Sequence, residues 1–97
     1  MNINFTLSVI LPTLNEGKNL EILIPDLIKN LNSIKNLQYE IIVVDDGSTD
    51  DTFKILKNKD FEDNVILINR NGKPSLPMSL YEGINNSKYE YVAWLDA

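Results

Sequence analysis

Three short polar clusters carry the residue types that could bind a ligand: Pro12-Thr13-Leu14-Asn15-Glu16, Asp45-Asp46-Gly47-Ser48 and Asp96-Ala97. Each follows directly on an apolar stretch, so the order of strands decides whether the three meet. Asp45 and Asp46 are adjacent, and successive side chains on a strand point to opposite faces, so the two carboxylates take different tasks. One can accept hydrogen bonds from a base N–H or from ribose hydroxyls. The other fixes the turn or the neighbouring helix. The chain has neither a Walker-type phosphate loop nor a G-x-G-x-x-G string, so its backbone amides are not obviously arranged to cradle phosphates. A cluster of carboxylates would repel a diphosphate unless a divalent cation stood between them. Mg²⁺ or Mn²⁺ suits that place, with hard oxygen ligands and phosphate oxygens completing the shell. The chemistry favoured is transfer from a nucleotide-activated donor, with the metal stabilising the departing diphosphate.

Composition narrows the classes. Histidine and cysteine are both absent from the 97 residues, which excludes His-based zinc sites, Ser-His triads, disulfides and thiolate catalysis. Nine Lys+Arg against fourteen Asp+Glu give a net charge of −5, and Arg70 is the single arginine. No basic groove exists to follow a nucleic-acid backbone, so no nucleic-acid partner is expected. A hydrophobic content of 43% argues for a folded chain. No apolar run approaches the roughly 18 residues of a membrane span, and Met1-Asn2-Ile3-Asn4 does not open a signal peptide. The expectation is a soluble, unprocessed, cytoplasmic protein of one domain over residues 1–97.

The elements that must position the clusters follow from periodicity. Phe5 to Leu11 reads as a buried strand ended by Pro12. Leu20, Leu23, Ile24, Leu27, Ile28 and Leu31 share one helical face, with Pro25 implying either a kink or a second start. Glu40 to Val44 is the second buried strand. A short helix follows, capped by Ser48 or Thr49, with Asp50 and Asp51 at its positive end, and carries Phe53, Ile55 and Leu56 to about Lys59. Val65 to Ile68 is the third strand. Asn69 to Pro77 is a loop turning at Asn71-Gly72, and Leu80 and Ile84 mark a third helix to about Asn86. Tyr89 to Leu95 is the fourth strand, with Trp94 read as core and Tyr81 and Tyr89 as packing residues. Lys73 and Arg70 are read as solvated loop charges rather than phosphate ligands.

Apolar strands alternating with helices indicate an α/β, Rossmann-like parallel sheet with helices on both faces, in the order 3-2-1-4. In that order strands 1 and 4 flank the topological switch point and strand 2 lies beside strand 1. All three polar clusters then fall at the carboxyl edge, where such sheets bind ligands.

Val9-Ile10-Leu11-Pro12-Thr13-Leu14-Asn15-Glu16, Ile42-Val43-Val44-Asp45-Asp46-Gly47-Ser48-Thr49-Asp50 and Trp94-Leu95-Asp96-Ala97 together resemble the nucleotide-binding half of the family 2 glycosyltransferases, which have the GT-A fold. The Pro-Thr-x-Asn-Glu and Asp-Asp-Gly-Ser-x-Asp strings lean toward the dolichyl- or undecaprenyl-phosphate sugar transferases. The resemblance implies that Pro12, Leu14 and Glu16 surround the base and ribose of a nucleotide sugar. It gives Asp46 the polar contact to the base, with Val44 lining the pocket through its backbone. Asp96 and Ala97 become the first two members of an Asp-x-Asp motif, Asp96 approaching the ribose and the metal-bound phosphates. The implied cofactor is Mg²⁺ or Mn²⁺, the donor a UDP- or GDP-sugar, and the acceptor a polysaccharide or lipid phosphate, in cell-wall or polysaccharide biosynthesis.

The departures from the family pattern set further expectations. The third member of Asp-x-Asp would come after Ala97, so metal binding is expected to be weak or absent and the chain inactive alone. It would be the N-terminal donor-binding part of a truncated GT-A domain, working at the cytoplasmic face of a membrane through the missing part. Leu14 stands where the lipid-phosphate transferases commonly carry Tyr, and the Gly72–Pro77 loop lacks the usual Gly-x-x-x-Ala spacing ahead of Gly83. Two other readings compete. A phospho-receiver-like, Mg²⁺-binding signalling domain needs its acidic pair after the first strand, whereas here the pair follows the second. A non-catalytic association module would self-associate through an uncovered strand 4 edge.

Overall fold

The computed structural model describes residues 4–59, 61, 64–70 and 72–96. Four parallel strands, β1 (Phe5–Thr13), β2 (Leu37–Asp45), β3 (Val65–Asn69) and β4 (Val92–Trp94), form one sheet in the order β3-β2-β1-β4. This is the strand order expected from the sequence. Three helices connect them: α1 (Gly17–Asn32), α2 (Thr52–Asn58) and α3 (Leu76–Asn85). The first two connections step one way across the sheet, and the third jumps back over β1 and β2. With right-handed crossovers, that reversal puts α3 on the face opposite α1 and α2.

The two faces are unequally built. Val9, Leu11, Tyr39, Ile41 and Val43 pack under Leu20, Ile24, Ile28 and Leu31 of α1 and Leu56 of α2. The α3 face holds a smaller cluster of Ile10, Ile42 and Val44, with Leu80 and Ile68 against it. Gly83 is what lets α3 come close: a Cβ there would stand 2.5 Å from Ile10 Cγ2. Below this cluster Glu40, 1% exposed, accepts from Ser8 Oγ at 2.6 Å and from the Lys88 amide at 2.7 Å. The carboxylate thereby fastens the α3–β4 connection to the sheet.

Local boundaries shift for physical reasons. Pro12 does not end β1. It sits opposite Val44 inside the β1–β2 ladder, because its nitrogen faces the other neighbour. Ser8 donates its amide to Tyr91 and Ile10 accepts from Leu95, so the even residues of β1 pair toward β4 and Pro12 halts only that ladder. Pro25 neither breaks nor restarts α1, which is one continuous helix. It lies on the exposed face, where the carbonyl it leaves unpaired can meet water. The third helix begins before Pro77, with Ser75 as N-cap accepting from the Met78 amide and the proline in the first turn. The turn expected at Asn71-Gly72 includes Asn71, which lies outside the described residues.

The fourth strand is shorter than expected, and Trp94 is not core. All three residues of β4 are exposed, Trp94 by 48%. Tyr81 is likewise 57% exposed rather than packed, and Tyr89 is half-buried beneath the Lys88 ammonium, 5.3 Å from its ring centroid. Among the described residues no helix is long and apolar enough to cross a membrane.

Candidate functional site

Parallel pairing brings the carboxyl ends of β1, β2 and β4 to one rim. There a cavity of about 250 Å³ is walled by Pro12, Thr13, Leu14 and Glu16 from the first loop, Asp46 from the second, Leu76 from the start of α3, and Asp96 after β4. Five of the residues expected to bind the nucleotide therefore share one cavity. Val44 does not join them: it is fully buried in the small apolar cluster and supports Asp46 from within the core. Ala97 lies outside the described residues. A larger hollow of about 410 Å³ opens between the starts of α1 and α2, but its walls include only Glu16 of the expected set.

The two adjacent carboxylates divide their tasks as strand geometry requires. Asp45 faces the α1 and α2 side and accepts from the Ser48 hydroxyl, fixing the turn. Asp46 points the other way. Its Oδ1 accepts from Arg70 Nε at 3.1 Å, and both its oxygens receive the Ser75 amide, at 3.0 and 2.9 Å. Arg70 is thus no solvated charge. Its side chain is 13% exposed against 10% for Asp46, and it also donates to the Lys73 carbonyl. The pair holds the β3–α3 loop against the end of β2. A carboxylate has about four acceptor positions, and these contacts leave Asp46 Oδ2 with capacity toward the cavity.

The first two loops are tied together, not capped separately. Ser48 and Thr49 do not cap α2, which starts at Thr52. Asp50 supplies the acceptor instead, taking the Thr52 amide at 2.9 Å and its hydroxyl at 2.5 Å. These bonds, the hydroxyl first, hold the Asp50 carboxyl below the usual aspartate range. Thr52 Oγ1 in turn accepts the Gly17 amide at 3.1 Å, serving an orphan donor at the start of α1. Gly47, at φ 83, adopts a left-handed turn that a β-carbon would strain. Glu16 accepts from the Asn19 side chain.

Two wall residues were not singled out from sequence. Thr13 is 3% exposed and its hydroxyl has no partner among the described residues; paired with Asp45 in the β1–β2 ladder, its side chain falls on the α1 and α2 side, away from the face that Asp46 takes. Leu76 comes from α3, and only the fold places that helix start beside Asp46. Among the described residues, no three His, Cys, Asp or Glu side chains are grouped to hold a metal ion. Asp96, exposed at the rim, is the single expected ligand, so these residues do not by themselves make a metal site.

Comparison with known proteins gives this rim its context. The model of the family described as glycosyl transferase family 2 matches residues 8–97. The chain belongs to that family, and the phospho-receiver reading falls. It is 38% identical over 95 residues to an undecaprenyl-phosphate 4-deoxy-4-formamido-L-arabinose transferase of Proteus mirabilis, covering 93% of this chain and 28% of that protein. It is 36% identical over 95 residues to a poly-beta-1,6-N-acetyl-D-glucosamine synthase of Staphylococcus epidermidis, covering 94% and 21% respectively. The crystal structure of S. aureus TarS superimposes with a TM-score of 0.77 at 28% identity, over 95% of this chain and 16% of that one. The expected GT-A architecture is upheld by that superposition and by the strand order. The chain spans less than a third of the length of the curated relatives it matches.

Proposed function

We propose that this chain binds the nucleotide part of a UDP- or GDP-sugar at the rim of β1, β2 and β4, as the donor-binding portion of a glycosyltransferase. The observation that carries the reading is the single cavity shared by Pro12, Leu14, Glu16, Asp46 and Asp96. Pro12 and Leu14 offer apolar walls to a planar base, and the remaining acceptor capacity of Asp46 takes a base N–H. Glu16 stands where a ribose hydroxyl would find a partner, and Asp96 faces the ribose and diphosphate. The relatives named for undecaprenyl phosphate and for a polysaccharide support a polyprenyl-phosphate or polysaccharide acceptor; a polyprenyl-phosphate acceptor would bring the reaction to a membrane surface, which we take to be its cytoplasmic face. Mg²⁺ or Mn²⁺ enters the proposal only with the donor: Asp96 offers one carboxylate, and diphosphate oxygens must supply most of the shell.

Calorimetric titration of UDP and GDP, each with and without Mn²⁺, tests this. One nucleotide should bind, and Asp46→Ala should abolish that binding. Because the same change strips Arg70 and the Ser75 amide of their acceptor, it should also lower stability by about 3 kcal/mol in urea denaturation. Binding by Asp46→Ala as tight as by the parent would remove Asp46 from the base contact.

A further inference from the structure

We propose that Asn15 is a positioning residue that locks the β1–α1 loop to the β2–α2 loop, and thereby sets where Glu16 stands relative to Asp46 across the cavity. The consequence for affinity rests on the nucleotide reading above; the lock itself does not. Asn15 sits at φ 55, a left-handed conformation that asparagine tolerates better than most residues with a β-carbon. From there its side chain crosses to the other loop. Oδ1 accepts two consecutive amides, Thr49 at 2.9 Å and Asp50 at 3.3 Å. Its own amide donates to Ser48 Oγ at 2.9 Å, and that hydroxyl donates to Asp45, the neighbour of Asp46. On the far side of Glu16, the Gly17 amide reaches Thr52 Oγ1. Glu16 is therefore bracketed by two ties to the second loop, one at the residue before it and one at the residue after.

Asn15 is exposed, so packing does not hold its side chain and the lock depends on the amide oxygen as an acceptor. That separates its two contributions by substitution. Asn15→Gly keeps access to positive φ and removes the acceptor. Asn15→Asp keeps an acceptor in the same place. Ser48→Ala removes the other leg of the lock without touching Asn15.

The test is amide hydrogen exchange on the ligand-free chain, followed by calorimetric titration with UDP and GDP. In Asn15→Gly, protection at Thr49 and Asp50 should fall while that of Ile41 to Val44 is kept. Nucleotide affinity should weaken about tenfold, the worth of one or two hydrogen bonds. Asn15→Asp should recover both, and Ser48→Ala should weaken affinity in the same direction. Unchanged exchange at Thr49 and Asp50, unchanged affinity despite lost protection, or no recovery in Asn15→Asp would each overturn the proposal. Should Asn15→Gly lose its fold, the Asn15→Asp and Ser48→Ala results decide. A parent that binds neither nucleotide sinks the functional reading instead, and the exchange data still judge the lock.

Discussion

Asp50 shows how a single exposed carboxylate can organise a helix start. Its hydrogen bonds from Thr52 exist only in the folded chain and favour the charged form, so its pKa is lowered on folding. The contribution is fully present above the ordinary aspartate range and is lost as pH falls through the lowered folded value. Thermal unfolding of the parent and of Asp50→Asn should therefore differ most at neutral pH, the gap closing in acid. A gap that widened with acid would contradict the assignment. Arg70 carries a different lesson. As a loop charge it reads as solvated, yet the Asp45–Asn69 register places the next residue on each strand side by side, and those residues are Asp46 and Arg70. The pairing was legible only once β2 and β3 were aligned residue by residue.

At the scale of elements, the sheet was readable because its order depends on apolar runs and crossover handedness, both visible in one dimension. The start of α2 was not. Asp45, Asp46, Ser48, Thr49, Asp50 and Asp51 all carry side chains able to cap a helix, and the segment is shaped by a contact the local string does not show: Asn15, more than thirty residues away, takes the Thr49 and Asp50 amides. Trp94 was misread for a related reason: an aromatic in an apolar strand looks like core, but burial depends on what lies against the strand. The approach of α3 to β1 is equally specific. Gly83→Ala would press a methyl group into Ile10, and the overpacking should cost about 1–3 kcal/mol in chemical denaturation. Tolerance without loss would mean that α3 can shift outward freely.

On the scale of the whole molecule, apolar cover is lopsided. The α1 and α2 face is thick, whereas β4 presents both faces to solvent, with Tyr91, Val92, Trp94 and Leu95 all exposed. Val92 and Trp94 also turn their amides and carbonyls away from β1, since Tyr91 and Leu95 make the ladder bonds. Such an edge, free of lysine and proline, invites pairing with another chain. Sedimentation velocity should therefore show concentration-dependent association, and Trp94→Lys should suppress it by placing a charge on the edge. A monomer at all concentrations would show that the strand is too short to template a partner.

Pro12 joins these scales. Lacking an amide hydrogen, it cannot answer the Leu95 carbonyl, so the seam between β1 and β4 parts one residue beyond Ile10. Beyond that parting the two strands lead to Leu14 and Asp96, both in the wall of the cavity. An imino acid in the middle of a sheet, ordinarily a fault in the weave, here keeps the mouth of the cavity from zipping shut.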